Sequence, residues 1–496
     1  EGALAFSCAG HKDATGNTGA TDTSATSGAV TVDLTAPTLT IGIASNNAVD
    51  NTQAKSGDIV TLTITANEAV TSLVCTIDGE ATTMGGSGTG WTSTLTLSGD
   101  ETEGATAFSC AGFVDATGNA GVTDTTANTG SVNIDLTVPT LGIAMASNNA
   151  DTTKAKSGDT ITLTITASEA VTALVCTIDG EATTMGGSGT SWTSALTLSG
   201  DETAGNTVFS CASHVDAAGN AGATDTSATS GAVNVDFVAP GIGISTVATD
   251  GYISSAEATS GFVITGTATG ADGQTVTVGY GGATETATVS SNSFTLTICD
   301  DETCSGSDGL QAVTANVNDA AGNSATQASI NALLDTTAPT TTIGSIGISA
   351  DTGSSSSDFN TKTAAQTVTA TLSTGLVTGE TLQSSVNAGS SWATVDGADI
   401  SGTSISTSLT LSGSSSIAFR IIDTATNPGA TGSQAYVLDT TAPTLGIAMA
   451  SNNADTTKAK SGDIITLTIT PSEIVSGLVC TIDGEATTMG GSGTSW

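Results

Sequence analysis

Carboxylates recur at fixed places in this 496-residue chain, and they are the side chains best suited to chemistry. Five sit in a phrase of Asp, two residues, Ala or Val, then Pro: Asp33, Asp135, Asp236, Asp335 and Asp439. Others open a second phrase that closes on Asn, among them Asp115 with Asn119, Asp216 with Asn220, Asp319 with Asn323, and Asp423 with Asn427. Glu68 and Glu169 hold matching places in two near-identical stretches. Carboxylate and amide oxygens are hard ligands, and Ca2+ takes six to eight of them. Several carboxylates at one spot repel one another unless a cation sits among them. The alternative is structural, with Asp and Asn serving turn geometry and capping backbone amides.

Other chemistries find little support. The glycine-rich run at 85–90 lacks the Lys of a phosphate-binding loop and precedes a strand, so it reads as a turn. The two histidines, His11 and His214, lie far apart and read as surface residues. No Ser–His–acid set falls within one stretch, and no cleft is expected to tune a carboxylate pair. Trp91 and Trp192 read as packing residues rather than a sugar platform. The chain is expected not to be an enzyme.

Forty-seven acidic residues against eight basic ones give a formal charge of −39. That excludes nucleic acid, whose phosphates need a basic face. It also excludes anionic membrane surfaces. No apolar run is long enough to span a bilayer, so no membrane insertion is expected of this segment. The chain opens and stops inside repeats and reads as a piece of something longer.

The elements that must position these groups come in a long period. The prolines of the first phrase fall 102, 101, 99 and 104 residues apart, the mark of a domain array. The expected divisions are the tail of a repeat over 1–36, four repeats over 37–138, 139–239, 240–338 and 339–442, and the start of another over 443–496. Residues 139–192 and 443–496 differ at only five of 54 positions, which points to duplication of multi-domain blocks. Short alternating runs predict strands over 38–44, 58–65, 72–77, 80–84, 91–97, 106–114 and 131–136. Seven short strands in about 100 residues fit an immunoglobulin-like sandwich. The expected fold class is all-β, a linear array of such seven-strand sandwiches.

Cysteines follow the same period. Cys75 and Cys110 are 35 apart, as are Cys176 and Cys211. Each pair falls at similar height on strands expected to be antiparallel neighbours and on core-facing positions. Disulfides are expected, which implies an oxidising compartment. Two buried free thiols are the alternative. Cys299 and Cys304 are expected to close a local disulfide, because no nearby His or Cys completes a zinc set. Cys8 and Cys480 match single members of such pairs.

Strand parity then assigns loops to poles. The loops after the second and sixth strands meet the linker at the N-terminal pole of each sandwich. That gathers Asp33, Glu68, Asp115 and Asn119 in one repeat, and Asp135, Glu169, Asp216 and Asn220 in the next. Asp236, Asp319 and Asn323 follow, then Asp335, Asp423 and Asn427. From the sandwich below, Asp50, Asp100, Glu101 and Glu103 are expected to approach.

The stretch ASNNADTTKAKSGDTITLTITASEAV, the closing VDAAGN and the DxTAP boundary resemble the bacterial Ig-like repeats of giant surface adhesins and biofilm-associated proteins. DGYISSAEATSGFVITGTATGADGQTVTV and ISADTGSSSSDF resemble further variants of those repeats. The resemblance covers essentially the whole chain. It implies an extracellular, secreted or cell-surface setting and Ca2+ at the junctions, with the linker Asp and the second-phrase Asp as first ligands and Glu68 and Glu169 next. The expected function is a stalk holding a distal binding domain, with the receptor or surface bound through other domains. Four whole repeats would make a rod on the order of 150 Å, from strands rising about 3.3 Å per residue. A self-associating surface layer, sheath or filament is the second reading, and a non-catalytic spacer of a secreted enzyme or phage fibre is the third.

Overall fold

Thr, Val and Ile alternate with small residues along most of the chain, and the computed structural model turns that alternation into sheets. It describes residues 2–300, 304, 306–353 and 355–496. One residue of the ISADTGSSSSDF phrase, 354, therefore lies outside the described residues. The chain divides into two compact units, Glu1–Pro240 with Asn318–Ala325, and Gly241–Val317 with Thr326–Trp496.

In the first unit, β1 (Gly2–Ala3) pairs with β2 (Thr31–Val32). The sandwich that follows contains β3 (Leu39–Ser45), β4 (Gln53–Ala54), β5 (Ile59–Val70), β6 (Val74–Ile77) and β7 (Glu80–Ala81). It is completed by β8 (Thr83–Thr96), β9 (Gly104–Ala105), β10 (Phe108–Ala111) and β11 (Asn133–Ile134). One sheet has the order β3-β5-β8. Opposite it lie β10-β6-β7 and β4-β11-β9. The alternation is physical: Ile41, Ile43, Val60, Leu62 and Ile64 point inward and are buried. They join Leu73, Ile77, Leu97, Phe108 and Ile134 in one core. Removing a fully buried Leu from such a core costs about 2–5 kcal/mol, so this packing carries most of the fold.

The same plan returns in β12 (Leu141–Ser147), β13 (Lys154–Ala155), β14 (Thr160–Val171), β15 (Val175–Ile178) and β16 (Glu181–Ala182). It closes with β17 (Thr184–Thr197), β18 (Gly205–Asn206), β19 (Phe209–Ala212) and β20 (Asn234–Val235). These strands enclose a separate core that includes Ile143, Leu163, Ile165 and Val235.

The structure departs from the expected strands in two ways. The sixth strand, expected over 106–114, breaks into β9 and β10, and the seventh shrinks to β11. β9 pairs with β11 and β10 with β6, so the chain changes partner at 106–107, and Gly112, at φ +76°, follows the end of β10 short of 114. The expected first loop also contains a strand, β4, which runs parallel to β11. The glycine-rich run at 85–90 doubles back inside β8: Ser93 Oγ donates to Thr82 Oγ1 at 2.6 Å, and Trp91 Nε1 donates to Gly88 O at 3.0 Å.

Cys75 and Cys110 stand directly opposite on β6 and β10, with Cα atoms 4.1 Å apart, and are joined. The N–H and C=O of Cys110 bond instead to Asp124 on its other side, so the two cysteines form the close, non-hydrogen-bonded kind of pair. Cys176 and Cys211 repeat this on β15 and β19. Each bridge therefore ties neighbouring strands of one sheet. Cys299 and Cys304 are also joined, and Cys8 and Cys480 are free.

In the second unit, Gly241–Val247, Phe262–Thr269 and Ser293–Ile298 form one sheet. Tyr252–Ser254, Ala328–Asp335, Gly309–Val317, Thr275–Tyr280 and Ala283–Thr288 form another. Further on, Ile343–Ile348, Ala365–Leu372 and Ser404–Thr410 lie in one sheet, and Asn360–Thr361, Gly432–Leu438, Ser415–Ile422 and Thr381–Ser385 in a second. Leu445–Ser451 pairs with Ile465–Pro471. The sequence reading missed one short helix, α1 (Ser255–Ser260). Ser254 and Glu257 close a capping box at its start, a signal legible at 254–257, while six residues are too few to show helical periodicity. No helix among the described residues is long and apolar enough to cross a membrane.

His214 corrects a second expectation, because it is fully buried rather than on the surface. Its ring lies over Gly222, where a Cβ would collide with it; Phe113 covers Gly121 and His11 covers Gly19 in the same way. Neither ring nitrogen of His214 has a hydrogen-bond partner among the described residues. A buried unsatisfied polar group costs about 1–3 kcal/mol, whereas an apolar group of similar shape does not. His214→Phe is therefore expected to raise the melting temperature of the sandwich that carries it, read by calorimetry. An unchanged or lowered temperature would refute that account.

Candidate metal centre

Two of the expected carboxylate sets come together. Asp33 arrives on the segment after β2, Glu68 near the end of β5, and Asp115 on the loop after β10. One oxygen from each lies within 4.8 Å of the others. Asp135, Glu169 and Asp216 make the same triad after β11, in β14 and after β19. Ca2+–oxygen distances are about 2.3–2.6 Å, so oxygens on opposite sides of one ion are about 5 Å apart. The spacing fits one ion touching three carboxylates, which is a hard-oxygen donor set. Asp115 is 4% exposed and Asp216 1% exposed, so each triad has one buried carboxylate and two half-buried ones.

The turn after β10 fixes Asp115. Its Oδ1 accepts from the N–H groups of Thr117 at 2.8 Å, Gly118 at 2.7 Å and Asn119 at 2.9 Å. Burial pushes its carboxyl up, yet these bonds and the Asn119 side chain win and hold it at about 2. The second triad holds charge less easily. Burial pushes the Asp135 carboxyl up against a hydrogen bond from Thr137, and the charges of Asp216 and Glu103 push it the same way. Glu169 is also raised, by burial first and then by Asp135, Asp216 and Glu103. Mutual repulsion of this kind is what a bound cation relieves.

The asparagines do a job the sequence reading did not assign. Asn119 Nδ2 donates to Asp115 Oδ2 at 2.7 Å and to the Asp33 carbonyl at 3.0 Å. Asn220 links Asp216 to the Asp135 carbonyl, at 2.8 and 2.9 Å. Asn323 links Asp319 to the Asp236 carbonyl, both at 2.9 Å. Asn427 links Asp423 to the Asp335 carbonyl, at 2.9 and 2.6 Å. Each amide thus laces its turn to the linker through its Nδ2 protons, a role separate from the Oδ1 it could offer to an ion.

The remaining expected residues separate. Asp236 and Asp319, and Asp335 and Asp423, share their Asn but gather no third carboxylate among the described residues. Asp439 accepts from the Thr441 N–H at 2.9 Å and joins no triad there. Of the residues expected to approach from the sandwich below, Glu103 does so, accepting from Leu136 N–H at 3.0 Å and Thr137 Oγ1 at 2.7 Å. Glu101 instead folds back onto Ser98 and Gly99, and Asp50 caps Thr52.

No protein-family model matches the sequence, and neither does any curated protein. Solved structures do match. A Ca2+-stabilized adhesin with which an Antarctic bacterium reaches out and binds ice is 21% identical, over 80% of this chain and 99% of its own, with a TM-score of 0.33. A 1.5-MDa bacterial ice-binding adhesin is 20% identical over 60% of this chain and 99% of its own, with a TM-score of 0.34. A tetra-tandem repeat from the extending region of a large adhesion protein is 20% identical over 81% and 99%, with a TM-score of 0.24. This chain is similar to adhesin repeat arrays. At these identities and scores the likeness carries no argument about function, which rests on the residues above.

Proposed function

We propose that this chain is a non-catalytic stalk segment of a large extracellular adhesin, an array of Ig-like repeats stiffened by Ca2+ at its junctions. The observation that carries the reading is the repeated carboxylate triad, Asp33–Glu68–Asp115 and Asp135–Glu169–Asp216, built each time at the linker. Asp135 supplies a side-chain oxygen to the triad and a carbonyl to Asn220, so the linker is held twice at one point. The Pro that follows limits its freedom further. Cys75–Cys110 and Cys176–Cys211 support an oxidising, extracellular setting. The repeats run over 37–138, 139–239, 240–338 and 339–442, with partial ones over 1–36 and 443–496. The stalk presents a distal binding domain that engages a receptor or surface.

Small-angle scattering of the full chain in Ca2+ and in chelator tests the stiffening. The expected result is a monomer whose maximum dimension is larger in Ca2+ and whose distance distribution broadens in chelator. An identical distribution in both would defeat the proposal, and large polymers would favour the self-assembling coat.

A further inference from the structure

The segment Ser-Asn-Asn recurs at 45–47, 147–149 and 451–453, between the first two long strands of each stretch, and its second Asn is held by several hydrogen bonds. Asn47 is 8% exposed. Its Oδ1 accepts from the N–H groups of Val49 at 2.8 Å and Asp50 at 3.2 Å. Its Nδ2 donates to Asp58 Oδ2 at 2.6 Å, and its own N–H donates to Ser45 Oγ at 3.0 Å. One amide proton is left, and it goes to the carbonyl of Ala218 at 2.7 Å, 171 residues away in sequence. Asn47 belongs to the sandwich built on the first core, and Ala218 sits in the Asp216–Asn220 turn of the next. Val49 and Lys55 lie against Gly219 of the same turn.

The arrangement repeats. Asn149 is held by Asp151 N–H at 3.2 Å and by Asp159 Oδ2 at 2.8 Å. It donates to the Ala321 carbonyl at 2.8 Å, again the third residue of an Asp-Ala-Ala-Gly-Asn turn, while Lys156 lies against Gly322. Asn453 has the same cradle, with Asp455 N–H at 3.2 Å and Asp463 Oδ2 at 2.9 Å, and no second acceptor among the described residues. The cradle thus forms without its partner, which makes the outward N–H a preorganised donor. In the second unit α1 plays the matching part: Ser255 N–H donates to Asn427 Oδ1 at 2.8 Å.

We propose that Asn47 and Asn149 are ion-independent latches that fix the orientation of successive sandwiches by docking on the third carbonyl of the neighbouring Asp-Ala-Ala-Gly-Asn turn. The third residue of that turn must be small where the latch closes. Ala218 and Ala321 are 0% and 2% exposed beneath the docked loop, whereas the equivalent Thr117 is exposed. Division of labour follows: the latch sets the angle between sandwiches, and the carboxylate triad responds to cation.

The inference rests on reading the two cores as separate repeats and not on Ca2+ binding, so its test is run in chelator. Scattering is recorded for the full chain, for Asn47→Ala/Asn149→Ala, for Ala218→Lys/Ala321→Lys and for Asn453→Ala, with circular dichroism to confirm folding. The first two variants attack the latch from opposite sides, and the second leaves the cradle untouched. Both are expected to broaden the distance distribution relative to wild type, while Asn453→Ala leaves it unchanged. A distribution as narrow as wild type in Ala218→Lys/Ala321→Lys would overturn the proposal. So would a broadening by Asn453→Ala equal to that of the double Asn variant.

Discussion

Replacing Cys75 and Cys110 together by Ala is expected to lower the melting temperature of their sandwich by roughly 15–30 °C. The bridge closes a 35-residue separation. The chain-entropy estimate for a loop of that length is about 4 kcal/mol. A unit of about 100 residues shifts by about 4–8 °C per kcal/mol. Total stabilities of such units are only about 5–15 kcal/mol, so the loss is a large share. Sandwiches in an array contact only their neighbours, so the other transitions should stay in place. Differential scanning calorimetry reads this directly. A thiol count under denaturing conditions supplies the control: two free thiols are expected, from Cys8 and Cys480. A count of six or more would mean that Cys75, Cys110, Cys176 and Cys211 are buried thiols and would remove the basis for the prediction.

The second large effect comes from the cation. Binding to the folded state alone stabilises by about 2.7 kcal/mol when free Ca2+ is a hundredfold above its dissociation constant. Asp135→Asn/Glu169→Gln keeps the shape of the second triad and removes two of its charges. In chelator that variant should be more stable than wild type, because the raised carboxyls of Asp135 and Glu169 mark a folded state that resists their charge. In Ca2+ the order should reverse. The pH dependence has the same root. A carboxyl whose folded value is raised holds its proton better when folded, so in chelator the contribution of Asp135 and Glu169 to stability should rise as pH falls from neutrality through those values. Ca2+ holds the carboxylates ionised and should flatten that rise. Asp115 acts in the opposite sense and only at lower pH. It is held at about 2, so its contribution is present above its ordinary value of 3.8 and is lost as pH falls toward 2. Melting temperatures from pH 7 to pH 3, with and without Ca2+, separate these contributions. A wild type whose pH dependence in chelator matches that of Asp135→Asn/Glu169→Gln would contradict the repulsion.

The sequence made the fold and the poles legible but left the atoms undecided. Alternation along 58–65 was enough to place Val60, Leu62 and Ile64 in a core. Strand parity was enough to bring Asp33, Glu68 and Asp115 to one pole, because it depends only on the order of antiparallel strands. It could not say which way an amide points, so the donation from Asn119 Nδ2 to Asp115 and the linker is not legible there. Asn47 escaped notice for a different reason. Comparing repeats reveals what each contains, whereas this side chain acts on the repeat after its own. His214 looked like a surface residue because nothing marks the glycine eight positions on, Gly222, as the floor its ring covers.

Titration of Ca2+ into the full chain by isothermal calorimetry, beside Glu68→Gln/Glu169→Gln, tests the central claim most directly. Two tight sites are expected in the wild type, one per three-carboxylate cluster, and neither in the variant. Weaker sites at Asp236–Asp319 and Asp335–Asp423 would be left unchanged. Absence of saturable binding in the wild type, or tight sites that survive in the variant, would contradict it.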